Sequence, residues 1–178
     1  DYTLTTQVNS VERGSVTSGG SIQYTQTKEL IATPNYGYAF KNWTLSGTES
    51  SLSSTTSNPT IFTMGTANAI VTANFDPLQY RIILTSSNTT MGSVSGGGTY
   101  DYNTSRSIYA TPKSGYKFMQ WSDGVTTASR NIRLISDTSL VAEFDYQYYT
   151  LTTRVNSVER GTVTSGGSVP YTQIKELV

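Results

Sequence analysis

Residues 32–43 read ATPNYGYAFKNW, and residues 110–121 repeat the pattern as ATPKSGYKFMQW. In each copy a glycine precedes two aromatic residues at alternate positions, and a tryptophan ends the motif. Alternation with a period of two is typical of a β-strand that buries one face. We therefore predict a turn followed by a strand that carries aromatic rings into a core. The residues of this signature are Gly37, Tyr38, Phe40 and Trp43 in the first copy, and Gly115, Tyr116, Phe118 and Trp121 in the second.

The motif is part of a longer internal repeat. Residues 2–43 align without a gap to residues 80–121, with 14 identities in 42 positions. Residues 2–31 match residues 149–178 even better, at 24 of 30 positions. Self-similarity of this kind indicates tandem repeated domains. We predict a repeat A at residues 1–76, a repeat B at residues 77–145, and a partial third repeat at residues 146–178 that copies the start of repeat A.

Short strands and glycine-rich turns are predicted throughout. No segment carries the 3.6-residue apolar stripe of an amphipathic helix. The pairs Gly19-Gly20, Gly97-Gly98 and Gly166-Gly167 lie between strand-like runs. Because glycine accepts positive φ angles, these pairs are predicted to form tight hairpin turns. The pattern predicts five or six strands in each repeat.

The composition excludes several classes of site. The chain has 178 residues, with 12 Lys+Arg, 12 Asp+Glu, no His and no Cys. It therefore lacks an imidazole base, a thiolate nucleophile and the usual zinc ligands. Balanced charge argues against a nucleic-acid partner, and no apolar run approaches the roughly 20 residues that span a bilayer. We expect no catalytic residues, no metal, no cofactor and no membrane insertion.

The ATPxxGYxFxxW pattern resembles the divergent internalin-type B-repeat of bacterial surface proteins. The opening YTLT strand, the Gly-rich turn and the closing A-x-F at residues 73–75 and 142–144 share this resemblance, which covers nearly the whole chain. It implies an all-β fold of tandem small β-rich domains, β-grasp-like or a small sandwich. It also implies a secreted or cell-surface bacterial location and a role in spacing, adhesion or protein contact, with no catalytic residues to carry over.

Short connectors suggest how the repeats are used. Residues 76–79 and 145–148 join consecutive repeats, and Pro77 stiffens the first connector. We therefore expect an elongated rod that acts as a structural stalk, adhesin spacer or filament building block. The expected partners are other copies of the chain, neighbouring repeats, or a host or matrix protein. The partial third repeat could be completed by strand addition from another chain.

The tyrosines give an alternative interpretation. Tyrosine and tryptophan combine an apolar ring with a polar group, so the aromatic motif could be a platform for a sugar or peptide. A domain this small, however, needs large rings to form a core, and we favour the core. Outside the motif, Tyr100, Tyr102 and Tyr109 lie close together in repeat B. They are the candidate ligand surface if the chain is a carbohydrate-binding module.

Overall fold

The computed structural model describes residues 1–47, 49–156 and 161–171. Within them the chain forms β-strands and no helix. It divides into two compact units, unit 1 with Asp1–Tyr80 and Asp101–Asn103, and unit 2 with Arg81–Tyr100 and Thr104–Val178. The predicted all-β fold of tandem small domains is confirmed. Of the predicted third repeat, residues 157–160 and 172–178 lie outside the described residues.

Unit 1 is organised around a mixed four-stranded sheet. Its strands are β1 (Tyr2–Val8), β2 (Gly14–Val16), β3 (Gly20–Ile22), β4 (Thr27–Leu30), β5 (Ala32–Pro34), β6 (Tyr38–Ser46), β7 (Ser51–Leu52), β8 (Thr60–Thr63) and β9 (Ala69–Pro77). The main sheet has the order β3-β1-β9-β6, with β1 and β9 parallel at its centre. The parallel pair needs a crossover connection, and strands β2 to β8 provide it.

The three sheets of unit 1 share one hydrophobic core. Besides the main sheet, β2 pairs with β5, and β8 pairs with β4 and β7. A single cluster joins Leu4 of β1, Leu30 of β4 and Phe62 of β8, all with at most 1% of their surface exposed. Alternate residues of β9 complete it, which explains the period of two in its sequence. Three sheets around one cluster let a small domain exclude water from its rings.

Unit 2 repeats this organisation. The later strands are β10 (Gln79–Ser86), β11 (Gly92–Ser95), β12 (Gly98–Asp101), β13 (Ser105–Pro112), β14 (Tyr116–Trp121), β15 (Ser129–Arg133), β16 (Thr138–Tyr146), β17 (Tyr148–Leu151) and β18 (Gly167–Pro170). The main sheet has the order β12-β10-β16-β14, with β10 and β16 parallel at its centre. A second sheet, β11-β13-β15, and the pair β17-β18 accompany it. The two main sheets thus have the same topology.

The glycine pairs of the two main repeats do not form the predicted hairpins. Strands β2 and β3 flank Gly19-Gly20, yet β2 pairs with β5 and β3 pairs with β1. Gly20 has the expected positive φ of 132°, but the chain uses it to pass from one sheet to another. A Cβ on Gly19 would overlap the carbonyl oxygen of Leu4. Glycine is required here by close backbone contact as well as by φ.

The strands are also more numerous than predicted. Nine described strands precede Leu78 and seven lie between Gln79 and Tyr146, where five or six were expected for each repeat. The difference comes from runs such as β2 and β5, which have only three residues each. Glycine and proline end these runs early, so one apparent strand becomes several members of different sheets.

Candidate functional site

The tryptophan of the repeated motif lies inside each unit. Trp43 has 1% of its surface exposed and Trp121 has none. Each indole N–H donates to a backbone carbonyl of the loop that follows the motif, Trp43 to Ser57 at 2.8 Å and Trp121 to Thr127 at 3.1 Å. The polar group of a buried indole needs such a partner. The rings are therefore part of the core and do not form a surface platform.

The phenylalanines of the motif extend the same ring cluster. The ring centroid of Phe40 lies 5.1 Å from that of Trp43 and 6.2 Å from that of Phe75. Phe118 repeats both contacts in unit 2, with Trp121 at 5.6 Å and Phe144 at 5.9 Å. Tilted and edge-on contacts of this kind stabilise a core beyond the area that they bury.

A repeated glycine makes room for this cluster. A Cβ on Gly14 would lie 2.6 Å from Cζ of Phe75, and a Cβ on Gly92 would overlap the ring of Phe144. Neither glycine has the positive φ that favours glycine for conformational reasons. Each glycine lets strand β2 or β11 pass directly over a phenylalanine ring, and at Gly14 the Cβ position also lies 2.6 Å from the Thr33 carbonyl oxygen.

The glycine of the aromatic motif in unit 1 contacts a tyrosine. Gly37 has a φ of 86°, and a Cβ there would overlap the ring of Tyr102. The Gly37 carbonyl accepts the Leu78 N–H at 2.8 Å, and the Leu78 carbonyl accepts the Tyr102 N–H at 2.7 Å. We call the backbone of Gly37 and Leu78 the Gly37 site. The tyrosine is held there by its ring and by its backbone.

Other tyrosines enclose the ring at the Gly37 site. The ring of Tyr102 makes edge-on contacts with Tyr38 at 5.5 Å, Tyr36 at 5.7 Å and Tyr80 at 6.3 Å. As a result Tyr102 is half-buried. Three edge-on partners fix the orientation of the ring more closely than apolar contact alone.

Unit 2 contains the equivalent site. Gly115 has a φ of 87°, and a Cβ there would lie 2.6 Å from Cδ1 of Tyr171. The Gly115 carbonyl accepts the Gln147 N–H at 2.8 Å, and the Gln147 carbonyl accepts the Tyr171 N–H at 2.9 Å. We call the backbone of Gly115 and Gln147 the Gly115 site. Its tyrosine has one described ring partner, Tyr149 at 5.9 Å, and remains 53% exposed.

The three tyrosines of the predicted ligand surface have separate environments. Tyr100 lies in unit 2 under the guanidinium of Arg106, 4.5 Å from its ring centroid, and its hydroxyl contacts the carbonyl oxygens of the neighbouring glycine loop. Tyr102 belongs to unit 1 and fills the Gly37 site. Tyr109 is 45% exposed. Within the described part of the chain, no ring contact joins Tyr100 to Tyr109.

No group of three or more Asp, Glu, His or Cys residues could hold a metal ion within the described residues. Asp123 accepts a hydrogen bond from the Arg130 guanidinium at 3.1 Å, and this bond lowers the pKa of the Asp123 carboxyl. Arg130 also lies 5.9 Å from the centroid of the Trp121 ring. The Arg130 guanidinium, which Asp123 binds, therefore lies over the core tryptophan of unit 2.

One shallow groove accompanies β1 and β2 in unit 1. It has a volume of about 450 Å³ and is lined by Thr6, Gln7, Val8, Val11, Gly14, Ser15 and Val16. No charged side chain is among these residues, and Val11 itself is 82% exposed. The lining offers apolar contact without the convergent polar groups that give a ligand site its specificity.

Comparison with known proteins identifies a family. The model of the divergent InlB B-repeat domain matches residues 4–79 and again residues 82–147. No curated protein and no solved structure matches the chain. Among the described residues there is also no helix that could cross a membrane. The two matched segments contain the two copies of the aromatic motif and both glycine sites.

Proposed function

The chain belongs to the divergent InlB B-repeat family, and from this premise we propose that it is a non-catalytic repeat segment of a bacterial surface protein. In this role each repeat is a structural spacer in a stalk, an adhesin or a filament. The segment would be secreted or displayed on the cell surface. Its partners would be neighbouring repeats, other copies of itself, or a host or matrix protein.

This proposal rests on the observation that the aromatic motif packs into the core of its own unit. Both tryptophans are buried and both indole N–H groups bind their own unit. The chain also has no His and no Cys, two residue types that often act in catalysis. A domain whose most distinctive residues maintain its own fold suits a mechanical or spacing role better than a catalytic one.

Small-angle scattering tests the spacer role. We would compare the chain with a variant in which residues 77–145 are duplicated in place. A spacer predicts a larger maximum dimension for the variant and an unchanged cross-section. An unchanged maximum dimension would contradict the proposal, because the added repeat would then have merged into a globule.

The carbohydrate-binding alternative predicts a different result. Arg106 covers one face of Tyr100, and Tyr102 fills the Gly37 site. Tyr109 is the member of the predicted set with the most accessible ring, at 45% exposure. Binding of the chain on a glycan array, lost in Tyr109→Ala, would favour the carbohydrate-binding module over the spacer.

A further inference from the structure

A third tyrosine occupies the same repeat position as the two bound ones. Tyr24, Tyr102 and Tyr171 follow the same glycine pair at the same distance in their repeats. The chain around Tyr24 reads SGGSIQYTQ, and the chain around Tyr171 reads SGGSVPYTQ. The two segments are nearly identical, so they have the same capacity to bind a glycine site.

The turn at Tyr24 already has the conformation of a bound tyrosine turn. Thr25, which follows Tyr24, has a φ of 65°, and Asn103, which follows Tyr102, has a φ of 66°. The Thr25 N–H donates to the Met64 carbonyl at 3.0 Å, so the turn is fixed within unit 1. A binding turn that is formed in advance loses little conformational entropy on association.

The Tyr24 turn nevertheless has no glycine site among the described residues. Its side chain is 58% exposed. Its N–H has no backbone acceptor in the described part of the chain, whereas Tyr102 donates to Leu78 and Tyr171 donates to Gln147. The ring and the N–H of Tyr24 are thus both available for the contacts that Tyr102 and Tyr171 make.

We propose that the Tyr24 turn is a docking surface for the Gly115 site of another B-type repeat. The near-copy of this turn, at Tyr171, binds the Gly115 site in unit 2. The same ring would lie on the glycine, and the Tyr24 N–H would donate to the carbonyl of the residue equivalent to Gln147. This inference rests on the proposed function, because it specifies the neighbouring repeat that the segment contacts.

The sequence indicates that the partner of the Tyr24 turn is a copy of repeat B. The segment that binds the Gly115 site shares 24 of 30 residues with the segment that contains Tyr24. The Gly37 site instead holds Tyr102, which comes from a more divergent repeat and lies among three tyrosine rings. Tyr36, one of those rings, is replaced by Ser114 at the Gly115 site. The tyrosine turn of repeat A therefore matches the Gly115 site of repeat B.

An extended chain tests the proposal. We would join a second copy of residues 77–147 directly to Asp1, so that Gln147 of the copy precedes Tyr2 by the same spacing that separates Gln147 from Tyr149. Amide hydrogen exchange of Tyr24 would be compared in the original and extended chains. A new hydrogen bond predicts exchange about tenfold slower in the extended chain. Gly115→Ala in the added copy alone should restore the original rate.

A second measurement uses the chain at its natural length. Tyr171→Pro removes both the ring and the N–H that occupy the Gly115 site, and so leaves the site open to the Tyr24 turn of another molecule. Sedimentation at increasing concentration should then show head-to-tail association, and adding Tyr24→Ala should abolish it. If the Tyr24 amide exchanges at the same rate in both chains and Tyr171→Pro remains monomeric, the docking surface is refuted. The scattering test of the spacer role would stand independently, because it requires no contact at Tyr24.

Discussion

The ring of Tyr102 fills the space that a side chain on Gly37 would need. Gly37 combines this contact with a φ of 86°, and Gly115 repeats both features with Tyr171. Glycine at this point of the motif thus has two separable functions, a backbone conformation and a surface for a ring. The two can be distinguished because Gly124 has a similar φ of 83° and no atom within 4 Å of its Cβ position.

Replacement of Gly37 by alanine should destabilise unit 1 more than Gly124→Ala destabilises unit 2. Gly124→Ala carries only the left-handed backbone penalty of about 1–2 kcal/mol, whereas Gly37→Ala must also displace Tyr102. Urea unfolding would be followed by Trp43 fluorescence in a Trp121→Phe background, and by Trp121 in a Trp43→Phe background. Tyr102→Ala should relieve part of the Gly37→Ala loss. Equal losses in the free energy of unfolding for the two variants would show that the positive φ alone requires glycine at position 37.

Alanine at Gly14 should destabilise unit 1 for a different reason. Its Cβ would lie 2.6 Å from Cζ of Phe75 and 2.6 Å from the Thr33 carbonyl oxygen, so the substitution overpacks the core. Overpacking typically costs about 1–3 kcal/mol. The midpoint of Trp43-detected unfolding should fall, and Phe75→Leu in the same chain should recover part of the loss. If Gly14→Ala leaves the midpoint unchanged, the strand does not approach the ring as described.

Asparagine at position 25 should stabilise unit 1. A β-branched residue with positive φ is strained, and asparagine tolerates this conformation better. Asn103 has nearly the same φ as Thr25, so repeat B already carries the better residue. Thr25→Asn should raise the stability by up to about 1 kcal/mol, because it relieves part of the left-handed backbone penalty. The reciprocal Asn103→Thr is the matched control and should destabilise. A shift in the same direction for both variants would contradict the argument from φ.

Acid should weaken the contact between Asp123 and Arg130. The hydrogen bond from Arg130 holds the pKa of Asp123 below its usual 3.8. Because the folded pKa is lowered, the contribution is complete above the unfolded pKa and is lost as the pH falls through the folded pKa. Asp123→Asn should therefore flatten the pH dependence of Trp121-detected unfolding below about pH 4. The effect should be small, since the carboxylate is 42% exposed. Identical pH profiles would show that the contact between Asp123 and Arg130 does not stabilise unit 2.

Local sequence patterns were sufficient to predict the β-fold and the repeats. Alternation in residues 69–77 is a short-range signal, and it corresponds to a strand with one buried face. The ATPxxGYxFxxW motif also forms a strand in each unit, but a register shift between Phe40 and Asn42, and between Phe118 and Gln120, precedes the buried tryptophan. The pairing of the strands could not be predicted from such local patterns. Gly19-Gly20 has the composition of a hairpin, but its flanking strands belong to different sheets because the main sheet pairs the first strand with the last.

The tyrosine contact was missed because its partners are distant in sequence. Tyr102 was predicted to share a ligand surface with Tyr100 and Tyr109, on the basis of proximity along the chain. The structure assigns it to Gly37 in unit 1. A signal was present, since both the tyrosine and the glycine recur in successive repeats. Recurrence alone could not show that one contacts the other.

Acrylamide quenching of the two tryptophans tests most directly whether each repeat folds around its own aromatic core. Trp43 would be measured in Trp121→Phe, and Trp121 in Trp43→Phe. We predict blue-shifted emission and weak quenching for both, because Trp43 is 1% exposed and Trp121 is 0% exposed. Quenching of either tryptophan as strong as that of a free indole in water would contradict it.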